Sequence, residues 1–171
     1  MKVIIRPVKI EDSQSINEIR RMKGVKENTL AISSERVERT KRTTENLDSN
    51  NHTMVAEIIE NNNKKVVGLA SLNVNASPRI RYSASIGISV HADYQGMGIG
   101  KKLMKELIDL SDNWLMLVRL ELGVYPDNEK ALKLYKSLGF EEEGLKKYSA
   151  IRDGKYVDEI IMGRYNKNVI N

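Results

Sequence analysis

The chain has no cysteine among its 171 residues, which excludes disulfides, thiolate metal sites and a cysteine nucleophile. Two histidines, His52 and His91, are too few for a histidine-rich metal centre, and no metal is expected. No window approaches the roughly 18 consecutive apolar residues of a membrane-spanning helix. The opening Met1-Lys2-Val3-Ile4-Ile5-Arg6-Pro7 has neither the long apolar core nor the small-residue cleavage site of a secretion signal. These absences lead us to expect a cytoplasmic protein with no membrane partner. There is no internal repeat, low-complexity tract or linker, and the length suits one domain, residues 1–171, given the usual range of roughly 100–200.

What is present is ordinary for a globular chain: 40% hydrophobic and 30% charged residues, with a net charge of +5. The basic residues are dispersed, without helix-turn-helix spacing or an aromatic-rich RNA-binding signature, so nucleic acid is not an expected partner. A ligand bearing several phosphates would use the same charge locally.

Residues 2–8 read as a first strand. A helix follows, capped by Asp12 or Ser13 and carrying Ile16, Ile19 and Met22 on one face. Residues 33–47 read as a second helix whose only strongly apolar members are Val37 and Leu47, a thin face suited to a mobile cover. Strands are expected at 52–60, where Met54, Ala56 and Ile58 alternate against Val55 and Glu57, and at 65–74, joined by a turn at Asn61-Asn62-Asn63. A strand at 81–90 sets Ala84, Ile86, Ile88 and Val90 against the small Ser83, Ser85, Gly87 and Ser89. Helical spacing then runs over 98–113, a strand over 118–124 and a short helix over 128–138, ended by Gly139. Two last strands, 140–151 and 156–165, meet at Arg152-Asp153-Gly154. Trp114 and Phe140 read as core. The order β, α, α, β, β, β, α, β, α, β, β predicts an α+β domain around one mixed, mostly antiparallel sheet of about seven strands with four helices.

The most informative stretch is Ile88-Ser89-Val90-His91-Ala92-Asp93-Tyr94-Gln95-Gly96-Met97-Gly98-Ile99-Gly100-Lys101. A strand ends, a glycine-dense turn follows and the strongest helix begins. A helix start leaves backbone amides unpaired and carries partial positive charge, and glycines let a ligand approach that backbone. The arrangement suits a phosphate or pyrophosphate. It is not a P-loop, because Gln95 and Lys102 stand where that motif needs glycine and a hydroxyl. Nor is it a dinucleotide fingerprint, whose last glycine would come one residue later than Gly100.

The pattern Gln95-x-x-Gly98-x-Gly100 resembles the acetyl-CoA motif of the GNAT superfamily of N-acetyltransferases. Downstream, Asn128-x-x-Ala131-x-x-x-Tyr135-x-x-x-Gly139-Phe140 resembles that superfamily's next motif, and Leu120-Glu121-Leu122-Gly123-Val124 the strand before it. Asp112-Asn113-Trp114-Leu115, Lys146-Lys147-Tyr148 and Asp153-Gly154-Lys155-Tyr156-Val157-Asp158 are similar to a bacterial branch that includes L-amino-acid N-acyltransferases.

The resemblance implies acetyl-CoA as co-substrate. Backbone amides of Gln95, Gly96, Met97, Gly98, Ile99, Gly100 and Lys101 would hold its pyrophosphate. The main chain of Ile88, Ser89 and Val90 would pair with the pantetheine arm where two central strands splay apart. Asn128, Ala131 and Tyr135 would complete the cofactor contacts, Asn128 also serving as a helix cap. Ser85, Gly87 and Ser89 would leave room for the ligand, and a backbone N–H near Val90 could polarise the thioester carbonyl. Tyr135 would stabilise the departing thiolate. A phenol at about 10 is a weaker acid than a thiol at about 8.5, so full proton transfer would be uphill by roughly 2 kcal/mol and a hydrogen bond is the better description. Candidate bases are Glu121, then His91 and Asp93, or a water relay. The acceptor implied is a small-molecule amine such as a free amino acid; a protein N-terminus, a lysine, or an acetyl-CoA sensor without turnover are the alternatives. A homodimer is expected, as in most soluble oligomers.

Overall fold

In the computed structural model, residues 2–60 and 63–170 are described. Seven strands form one sheet in the order β1-β2-β3-β4-β5-β7-β6: β1 Lys2–Pro7, β2 Asn51–Glu60, β3 Asn63–Val74, β4 Ser83–Val90, β5 Arg119–Val124, β6 Glu141–Arg152 and β7 Lys155–Tyr165. Four α-helices accompany them: α1 Ser13–Arg21, α2 Val37–Glu45, α3 Ile99–Asp109 and α4 Glu129–Ser137. The expected α+β order is therefore present. The expected turn at Asn61-Asn62 lies outside the described residues. Among the described residues no helix is long and apolar enough to cross a membrane.

The chain divides into two compact units, Met1–Asn73 with Gly87–Asp109, and Val74–Ile86 with Leu110–Asn171. In the first, β1 and β3 flank β2 antiparallel, with Ile5 opposite Ala56 and Val55 opposite Leu69. Ile16 and Ile19 of α1 pack with Val25, Val55 and Val66, with Leu69 beside them. On the other face, Gly68 lies against Ile99 and Leu103 of α3. Both faces of β2 are thus covered. Val55, Ala56, Glu57 and Ile58 are all buried, where simple alternation leaves one face to solvent. Glu57 tolerates burial because Arg6 reaches it at 2.8 Å while also bonding Asp12 at 2.8 Å.

α2 is shorter than expected and starts without a side-chain cap from Ser33 or Ser34. Its apolar face is thin, but polar groups attach it to α1. The buried Asn17 donates to the Glu35 carbonyl at 3.1 Å and to Thr40 Oγ1 at 3.4 Å, Arg20 meets the buried Glu35 at 3.5 Å, and Arg21 donates to the Ser33 carbonyl.

In the second unit β7 lies between β5 and β6, antiparallel to both, with Leu122 opposite Met162. The helical spacing over 98–113 breaks at Asp109. Residues Leu110–Trp114 form a wide π turn, and Trp114 emerges 77% exposed, which corrects its assignment to the core. The turn is held by polar contacts: Arg164 clasps Asp112 through two bonds of 2.9 and 2.7 Å, and Asn166 donates to the Asp112 carbonyl. Phe140, by contrast, is buried against the Tyr135 ring.

Candidate functional site

The glycine-rich turn belongs to the first unit. The His91 amide donates to the Val67 carbonyl at 2.9 Å, where β3 bulges, and fixes the end of β4. A single helical turn, Ala92–Tyr94, reverses the chain. The Gln95 side chain then reaches back to the Val90 carbonyl at 3.1 Å. Gly96 and Gly98 adopt φ of +80° and +77°, values that strain any residue with a Cβ. Nothing lies within 4 Å of where a Cβ would stand on either, so the outer face of the turn is open. Lys102 N–H closes the first helical bond, to the Gly98 carbonyl. The amides before it are those a helix start leaves unpaired. Lys101 and Lys102 are exposed beside them. An open, glycine-lined helix start with adjacent lysines fits a pyrophosphate.

Gly68 was not singled out by the sequence, yet it supports this turn. A Cβ there would come within 3.2–3.4 Å of Leu103, the Ser89 carbonyl and Ile99. Its small size lets the end of β4 and the first turn of α3 settle onto β3. Ser85 is exposed, Ser89 and Val90 are half-buried, and nothing lies within 4 Å of where a Cβ would stand on Gly87.

His91 carries a lowered pKa, from burial and from the Lys65 ammonium, with Asp93 partly opposing. Lys65 Nζ lies 3.3 Å from its ring nitrogen and over the Tyr94 ring. These contacts give His91 a role in ordering the turn. Asp93 is exposed.

The second unit carries the other expected residues. Asn128 caps α4, its side-chain oxygen accepting from the Ala131 amide at 3.2 Å. Tyr135 sits one turn further along and is 6% exposed. Burial alone pushes its phenol up to about 12. Against a thiol at about 8.5, full proton transfer from this phenol would then cost about 5 kcal/mol, which makes it a poor acid.

Glu121 lies on the exposed face of β5. Arg119 holds its carboxylate at 2.7 Å while also holding Glu143 at 2.5 Å. Glu143 is drawn down to about 2 by Arg119 and Tyr165. The register of β4 on β5 covers Ser83–Arg119, Ala84–Leu120 and Ser85–Glu121, whereas β5 stays paired to β7 through Val124–Ile160. One further carboxylate, missed in the sequence, stands at that end of β5. Glu159 of β7 occupies the space above Gly123 that a Cβ would fill, and Ser149 Oγ donates to it at 2.7 Å. No local motif marks it, since Gly123 and Glu159 meet only through strand pairing.

Comparison with known proteins gives a consistent picture. The model of the acetyltransferase (GNAT) family matches residues 22–140. An L-amino acid N-acetyltransferase, AaaT of Escherichia coli, is 43% identical over 99 residues, 58% of this chain and 61% of that protein. The N-alpha-acetyltransferase RimI of Mycobacterium tuberculosis is 36% identical over 83 residues, 48% of this chain and 49% of that protein. The chain thus spans about half to three fifths of the length of these curated relatives. Among solved structures, the Salmonella typhimurium protein yncA, determined with its cofactor acetyl-CoA, superposes with a TM-score of 0.82 at 22% identity, over 98% of this chain and 95% of that one.

Proposed function

Because the chain belongs to the GNAT family of acetyltransferases, we propose that it transfers the acetyl group of acetyl-CoA to a primary amine by direct attack in a ternary complex, with a free amino acid as the favoured acceptor. The observation that carries this reading is the turn from Gln95 to Lys101: two glycines at positive φ, open space above both, and a helix start behind them. Those amides would hold the pyrophosphate, with Lys101 adding charge. The main chain of Ile88, Ser89 and Val90 would take the pantetheine arm. Bound acetyl-CoA supplies an activated acyl group, and this chain's part is to orient it and receive the leaving charge. Tyr135 would donate a hydrogen bond to the thiolate sulfur. Asn128 would serve mainly as the helix cap, with Ala131 leaving room beside it.

An α-amine, with a reference pKa of about 7.7–8.0, is partly neutral at pH 7, whereas a lysine-type amine at about 10.4 is not. A free amino acid therefore demands less of a base. The 43% identical relative acts on L-amino acids by its name, which supports that acceptor. The likeness to an N-alpha-acetyltransferase supports a protein N-terminus as the second reading. We also propose a homodimer. The β6–β7 hairpin exposes Leu145, Tyr148, Ile151 and Tyr156, an apolar patch suited to a second copy of the chain.

The first test is calorimetric titration with acetyl-CoA, with NAD and ATP as controls. Selective binding of acetyl-CoA is expected, weakened at least tenfold by Gly98→Asp, which adds a side chain and a negative charge against the phosphates. No binding by folded wild-type protein would sink the reading. Binding without thiol release over a broad amine panel would make the protein a sensor.

A further inference from the structure

If the protein acetylates an amine, the attacking nitrogen must shed a proton, and a carboxylate not already committed to a cation is one group suited to receive it. In the second unit the half-buried carboxylates are Asp112, Asp158 and Glu159. Arg164 holds Asp112 at 2.7 Å and Lys147 holds Asp158 at 3.1 Å. The exposed Glu121, Asp127 and Glu143 are each held by an arginine. Glu159 differs. It is half-buried, the neutral Ser149 hydroxyl donates a hydrogen bond to it at 2.7 Å, and no cation pairs with it among the described residues.

Its place is as specific as its chemistry. Val124–Ile160 is the last pair between β5 and β7, so Glu159 follows at the end of β5, three residues past the Ser85–Glu121 pair where the register with β4 stops. Gly123 lacks the side chain that would otherwise fall on the Glu159 carboxylate. The groups facing it are Gly123 and Tyr125 from β5 and the residue after it, and Lys146 and Ser149 from β6, Lys146 being its direct strand partner. Arg152 lies over the Tyr125 ring and is bonded to Asp127. A half-buried carboxylate braced by a hydroxyl and a glycine, beside a tyrosine, is built to hold an ammonium and accept its proton.

On the acetyltransferase reading, we propose that Glu159 is the catalytic residue that binds the acceptor amine and takes its proton, with Ser149 as a positioning residue. The nitrogen lone pair forms the bond to the acetyl carbon, and the carbon–sulfur bond breaks with its electron pair going to sulfur. The proton lost by nitrogen passes to the Glu159 carboxylate.

Two variants test this, Glu159→Gln and Gly123→Ala. The second keeps every charge but pushes the carboxylate aside. The panel is the proteinogenic L-amino acids, spermidine and a peptide with a free N-terminal alanine. With the best acceptor, kcat should fall about 100-fold or more in Glu159→Gln, and the acid limb of its pH profile should disappear. Gly123→Ala should lower kcat in the same sense. Both should keep acetyl-CoA affinity within about threefold and a cooperative melt. Wild-type turnover with an unchanged kcat and acid limb in Glu159→Gln overturns the assignment alone. So does a parallel loss of acetyl-CoA affinity, which marks a structural role. A wild-type protein that turns over nothing on the panel removes the acetyltransferase reading and this assignment with it.

Discussion

Tyr135 shows how a single side chain carries two separable properties. Its ring packs against Phe140 in the buried face of α4, and its hydroxyl pKa is shifted by burial alone, with no hydrogen bond contributing. Tyr135→Phe therefore removes no partner from the folded protein, and the melting temperature should stay the same or rise slightly. A hydrogen bond to a charged sulfur contributes roughly 1.5–3 kcal/mol, so kcat should fall about 10–100-fold while acetyl-CoA affinity changes less than about twofold. Steady-state kinetics beside calorimetry reads both, and unaltered kcat would remove the residue from the chemistry. This tyrosine, like Gly98 and Phe140, was legible in the sequence because its neighbours at i−7, i+4 and i+5 form a local pattern. Glu159 was not, because its partner Gly123 is distant along the chain. Trp114 was misread because a large apolar residue following a helical pattern looks like core, and a π turn leaves no signature in hydropathy.

At the level of elements, alternation and helical period predicted the seven strands and four α-helices in order, and the deviations come from polar contacts and close packing. α2 was expected to be held loosely because apolar contacts are what a sequence displays. In the structure Asn17, Arg20 and Arg21 fasten its start to α1, contacts that depend on how two helices face each other. The same holds for the support of α3. Its amphipathic face was evident, yet its first turn settles where Gly68, far earlier in the chain, has no side chain. Gly68→Val would press methyl groups into Leu103, Ile99 and the Ser89 carbonyl. Overpacking of this kind costs about 1–3 kcal/mol, and it acts where the amides we propose for phosphate binding are anchored. We expect a lower melting temperature together with an acetyl-CoA Kd raised about tenfold. A destabilised variant with unchanged Kd would separate the packing of α3 from the geometry of the turn.

Over the whole molecule, the titratable groups shifted by folding set the pH range of stability. Asp12 is the best-buried of the shifted carboxylates. Burial raises its pKa, but the bonds from Arg6 and the Lys9 amide outweigh that and leave it below 3.8. Glu143, at about 2, is lowered by Arg119 and Tyr165. A carboxylate lowered in the folded state stabilises fully above its unfolded pKa and loses that contribution as pH falls through the folded one. Stability should therefore drop steeply from about pH 4.5 downward. His91, lowered by burial and Lys65, adds a shallower loss that begins near its ordinary value of about 6.5, because the unfolded chain then binds a proton the folded one resists. At the other end Tyr135 is raised to about 12, so between about pH 10 and 12 the unfolded chain sheds a proton that the folded chain keeps. Two units correspond to a loss on the order of 3 kcal/mol across that window. Urea unfolding from pH 3 to pH 12 should thus give a plateau between about pH 6.5 and 10. Tyr135→Phe should flatten the alkaline fall without moving the acid one, and Arg6→Met should shift the acid fall to higher pH. An alkaline limb unchanged by Tyr135→Phe would mean that this phenol is hydrated in solution, and its assigned part as a buried hydrogen-bond donor to the thiolate would fall with it.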